Sequence, residues 1–133
     1  MNTLFDSAGL AIVAYADVLA NGSTPLVNSG LTVTKAAAPA LGQYAITLPR
    51  GKAQVAAPGE AAPRDLVFVQ AIQTPLDNSL LTAKVDPTAT VNSDGSATFN
   101  VAIVNGTTFA DGAFDILILR TILSTPANPT GPT

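Results

Sequence analysis

Chemistry in this chain would have to come from carboxylates, lysines or activated hydroxyls, because it contains neither histidine nor cysteine. The commonest general base, the Ser-His-Asp arrangement, thiolate zinc ligation and a thiol nucleophile fall away together. A glycosidase-like pair needs two carboxylates flanking a sugar. The single glutamate, Glu60, sits in an Ala/Pro/Gly-rich stretch, and Asp111 and Asp115 read as a turn residue and a strand residue. No catalytic residue is assigned, and the chain is not read as an enzyme.

Binding chemistry is equally sparse. Calcium takes oxygen ligands, which Asp86 and the run Asn92-Ser93-Asp94-Gly95 offer, but the spacing of an EF-hand loop is absent. Asp and Asn in tight turns commonly hydrogen-bond their own backbone, so no metal site is assigned. The glycines are single and placed at turns, with no phosphate-cradling run. Asn21-Gly22-Ser23 and Asn105-Gly106-Thr107 match the glycosylation pattern but read as Asn-Gly turns. Tyr15, Tyr44, Phe68, Phe99, Phe109 and Phe114 could line a sugar or peptide groove, yet most read as core, since all but Phe109 lie in strand-like runs. There is no tryptophan to stack on a sugar. No cofactor and no small-molecule ligand are expected.

Charge narrows the partners. The 133 residues carry a net charge of −3, with six cations spread along the chain and no basic stripe, so nucleic acid is not expected. No apolar run approaches the ~20 residues of a membrane helix, and the N-terminus lacks the layout of a secretory signal, so no membrane partner is expected. A protein made in a cytoplasm and kept whole is the expected history. Only 11% of residues are charged while 47% are hydrophobic. The surplus apolar surface either meets a partner or is balanced by Thr, Ser and Asn.

The elements that would position these residues are strands. Residues 10–19, 31–35, 43–48, 65–73, 80–85, 88–91, 97–104 and 114–123 read as extended runs separated by Gly, Pro, Asn and Asp. Pro49 stops one run, Asp86-Pro87 closes another, and Asp94-Gly95 marks a hairpin. The alternation at 97–104 places Phe99, Val101 and Ile103 on one face. The apolar run at 116–119 predicts a strand covered on both faces, by a partner or by a long loop. The expectation is all-β: a single-domain antiparallel β-sandwich over residues 9–123, with an N-terminal segment 1–8 and an extended Pro-rich tail 124–133.

The order of pieces carries a resemblance. A strand ending in Asn-Gly precedes Ser29-Gly30-Leu31-Thr32-Val33-Thr34 and then Gly42-Gln43-Tyr44-Ala45-Ile46-Thr47-Leu48. The alternating run from Phe99 to Val104 leads to Gly106, Phe109 and Ala110-Asp111-Gly112-Ala113-Phe114-Asp115-Ile116. Over residues 9–123 this resembles the small β-sandwich modules of bacteriophage virions, used as capsid decoration (cement) proteins and as terminal fibre domains. The resemblance implies a jelly-roll-like sandwich, a homotrimer, a place on the capsid surface and the major capsid protein as partner. A chain running from Met1 through one domain, without a shaft, favours decoration over a fibre tip. Leu4 and Phe5 before the first strand, and Pro126 and Pro129 in the tail, are the expected partner-interface residues. The alternative is a lectin-like or receptor-binding module of a phage fibre.

Overall fold

The computed structural model describes residues 10–27, 30–54, 58–59, 65–73 and 80–121. Every regular element among them is a β-strand: β1 Leu10–Val18, β2 Leu26–Val27, β3 Thr32–Lys35, β4 Gln43–Leu48, β5 Leu66–Ala71, β6 Leu81–Val91, β7 Ala97–Asn105, β8 Thr108–Phe109 and β9 Phe114–Thr121. Two antiparallel sheets result. Sheet A runs β2-β1-β9-β5, and sheet B runs β3-β4-β7-β6 with β8 added on β7. The chain is all-β and sandwich-like, because the two sheets share one core.

That core follows from period-two alternation. Tyr44, Ile46 and Leu48 of β4 and Phe99, Val101 and Ile103 of β7 point inward from sheet B. Ala14, Ala16 and Val18 of β1 and Phe114, Ile116 and Ile118 of β9 meet them from sheet A. Tyr44 and Phe114 touch edge to face across the gap, with ring centroids 5.0 Å apart. The Tyr44 hydroxyl donates to the Ala20 carbonyl at 2.7 Å and accepts from the Gly112 amide at 3.3 Å. Desolvation raises the pKa of this phenol, which keeps it a donor.

Two polar clusters hold the ends of the strands. Asp65 accepts from both Arg120 Nε and Nη2, at 2.8 and 2.9 Å, while Nη2 also donates to the Lys52 carbonyl at 2.7 Å. This fork ties β9 to the start of β5 and to the loop after β4. Asp111 accepts from the Gly42 amide at 2.8 Å and pairs with Lys35 at 3.2 Å. At Gly42 (φ +66°) an added Cβ would lie 2.3 Å from the Ile103 carbonyl oxygen, so only glycine fits this corner.

Two departures from the expected strands have clear reasons. The runs 80–85 and 88–91, expected to be separated by Asp86-Pro87, form one strand, β6. This edge strand pairs Asp86 with Asn100 and Thr90 with Thr98, so two extra residues bulge where proline has no N–H to offer. β1 bulges too, pairing Ile12 with Leu119 and Ala14 with Ile118, which leaves Val13 over. The two-residue strands β2 and β8 are too short for periodicity to reveal. Leu4, Phe5, Pro126, Pro129, Glu60, the N-terminal segment and the Pro-rich tail lie outside the described residues.

Candidate docking face

The inward residues of sheet A belong to the core, so any site on this sheet must be built from the outward ones. Register assembles them into three rows. The first is Leu66–Leu119–Ile12, the second Phe68–Leu117–Tyr15 and the third Gln70–Asp115–Asp17, each crossing β5, β9 and β1. Two adjacent rows are thus wholly apolar except for the tyrosine hydroxyl. Their outer members remain in solvent: Phe68 is 57% exposed, Ile12 44%, Leu66 42% and Tyr15 40%. Leu119 in the middle is only 8% exposed, and Leu117 is half-buried.

The β1 bulge makes this arrangement possible. Strict alternation would send Ile12 and Tyr15 to opposite faces, because one is an even and the other an odd step along the strand. With Val13 as an extra residue, both Val13 and Ala14 turn into the core, and Ile12 and Tyr15 return to the outer face. The expected double cover of β9 is therefore partial. Among the described residues Leu117 and Leu119 are flanked by their own row neighbours, and those neighbours face solvent. The exposed apolar surface is on the order of a few hundred Å², the size at which a patch on a soluble domain usually has a role.

The third row differs in kind. Asp17 and Asp115 are direct cross-strand partners, an arrangement that disfavours two negative charges. Burial, then the facing Asp17 charge and the hydrogen bond with Asp17, raise the pKa of the Asp115 carboxyl above the ordinary value. None of the described lysines and arginines belongs to the three rows. A shallow open depression runs from Phe68 and Leu117 to Asp115 and Gln70.

Elsewhere the chemistry-bearing residues serve local structure. Asp111 and Asp115, weighed as a pair from the sequence, are separated by role: Asp111 holds Gly42 and Lys35, and Asp115 lies on the outer face of sheet A. Asp86 accepts from the Thr88 amide at 3.1 Å. Asp94 accepts from the Ser96 amide and hydroxyl at 2.9 and 2.6 Å, bonds that lower its pKa. Asn21 accepts from the Ser23 amide at 2.9 Å, as an Asn-Gly turn should. Among the described residues no group of three or more acidic side chains gathers as a metal site would require. The cavity between the sheets beside Asp65, Gln54 and Phe99 holds about 10 Å³, room for roughly one water and no ligand.

Sequence reasoning missed the rows. Asp17 and Asp115 are far apart in the chain, as are Ile12, Leu66 and Leu119, and only register joins them. The continuous apolar stretch 116–119 was the one visible signal. Leu10 and Thr121 are also register partners, in the row next to Leu66–Leu119–Ile12. No protein-family model, curated protein or solved structure matches this chain.

Proposed function

We propose that this protein is a non-catalytic structural component that docks on a larger assembly through the outer face of sheet A. The observation that carries the reading is the pair of apolar rows, six side chains in all, on a face with no layer of the same domain over it among the described residues. Burying such a surface supplies the non-directional part of a binding energy at ~25 cal/mol per Å². It would form the apolar centre of an interface whose usual size is about 800 Å² per partner.

The assembly we propose is a bacteriophage capsid, following the resemblance of residues 9–123 to decoration modules. The protein binds the major capsid protein at junctions on the capsid surface as a homotrimer and stiffens the shell by bridging. Three copies on one shell give avidity without a tight single contact. Leu4 and Phe5 act as an anchoring segment on the shell, and Pro126 and Pro129 belong to an arm laid over a neighbouring copy. A jelly-roll-like winding is the finer fold reading. It is supported by the first and last strands, β1 and β9, pairing in one sheet while β4 and β7 pair in the other.

The test uses purified shells lacking this protein. Added protein should co-sediment and raise the temperature at which the shells rupture, and Phe68→Ser should lose both effects. Light scattering should give the mass of three 13.4 kDa chains. Shells that rupture at the same temperature with and without bound protein would sink the cementing role.

A further inference from the structure

We infer that the partner segment seated on the outer face of sheet A is a stretch of protein with apolar side chains and a lysine or arginine beside them, the cation resting at Asp17 and Asp115. This rests on the reading of that face as a docking surface and deepens it by naming the partner's chemistry.

Along β1, β9 and β5 the rows succeed one another as apolar, apolar, acidic. Successive rows on one face of a strand are about 6.6 Å apart. A partner that covers Tyr15, Leu117 and Phe68 therefore brings its next residue over the two carboxylates. The groups that face this position are Asp17 and Asp115, Gln70 beside them, Tyr15 in the row before, and Leu26 of β2, which pairs with Asp17. Among the described cations Lys35 is engaged by Asp111 and Arg120 by Asp65, and Lys84 lies in sheet B. None of the described cations, Arg50 and Lys52 after β4 included, belongs to the three rows, so a cation on the partner would relieve the carboxylate pair.

The same rows argue against a second copy as the occupant. Two copies stacked face to face by a twofold axis along the strands set four carboxylates together. An axis across the strands, through the middle row, sets each acidic row over Leu66, Leu119 and Ile12 of the other copy. Like charges meet in the first case, and charges lose water without a partner in the second. A cationic apolar segment avoids both.

Three matched ten-residue peptides, each with three leucines on one face and Lys, Gln or Glu as the next residue on that face, provide the probe. Titration of the isotope-labelled protein at pH 7 and low salt should shift amides of β1, β5 and β9. The Lys peptide should bind about 2–5-fold more tightly than the Gln peptide, with the Glu peptide weakest. The double change Asp17→Asn and Asp115→Asn should erase that order. Phe68→Ser should weaken all three. Equal affinities, an order unchanged by the double variant, or no shifts at millimolar peptide would overturn the inference. So would a multimer of the free protein that Phe68→Ser converts to monomer, because the face would then belong to a second copy. Shell binding without the charge order removes this inference alone, and the charge order without shell binding removes the capsid reading alone.

Discussion

The outer faces of the two sheets are built on the same pleat and solve the same problem in opposite ways. Sheet B presents Thr32, Thr47, Thr98 and Thr90 in one row across its four main strands. Thr47 and Thr98 share a hydrogen bond of 2.9 Å, and Asn92 Nδ2 donates to Thr98 Oγ1 at 2.9 Å. The next rows place Asn100 opposite Asp86, and Ala102 between Gln43 and Lys84. Hydroxyls and amides make that face compatible with water at almost no cost in charge. Sheet A presents aliphatic and aromatic side chains instead, bounded by two carboxylates. The low charge of the chain thus has two sources: threonine supplies polarity on one face, and the apolar surplus collects on the other.

The comparison is broken most severely by removing what the faces share. Phe114→Ala empties the contact with Tyr44 at the centre of the core and should cost about 3–5 kcal/mol, read as a lower denaturant midpoint. Both faces should be lost together. Tyr44→Phe keeps the ring but leaves the Ala20 carbonyl and Gly112 amide without the hydroxyl. It should cost about 1–3 kcal/mol in the same measurement.

Substitutions confined to one face should sharpen the contrast. Thr98→Val removes a hydroxyl bonded to two neighbours and should cost about 1 kcal/mol, with shell binding unchanged. Phe68→Ser alters a side chain already in solvent and should change stability by less than about 1 kcal/mol. It should nevertheless abolish co-sedimentation with shells. The reverse pattern would assign docking to sheet B.

The smallest effect concerns the carboxylate row. Because the folded-state pKa of Asp115 is raised, the folded protein holds that proton more readily than the unfolded chain. The pair therefore costs stability above that pKa, and the cost fades as pH falls through it. Asp115→Asn should raise the melting temperature by about 2 °C at pH 7 and by nothing measurable near pH 3. A gain that persists at low pH would deny the charge conflict.

Most of the strands were legible because alternation and turn chemistry are local. Gln43–Leu48 and the inward set Phe99, Val101 and Ile103 stand as periodicity predicts, and Pro49 ends β4. The site was legible only in the apolar stretch of β9. Its other members lie in β1 and β5, and nothing local says that Ile12 and Leu66 flank Leu119.

What the sequence determined by itself is the inventory. It contains strands of alternating polarity, turns at Asn-Gly and Asp-Gly, too few charges to cover its surface, and no histidine or cysteine. Those properties depend on residues one to four apart, which local sterics and hydrogen bonding can read. The tertiary structure decided which outward residues became neighbours. The extra residue Val13 shifts the register of β1 so that Ile12 and Tyr15 share a face. Pairing of β1 and β5 with β9 then turns scattered apolar residues into two rows and sets Asp17 against Asp115. Register is fixed by the whole core packing at once, because a slip of one residue would expose every inward side chain of the strand.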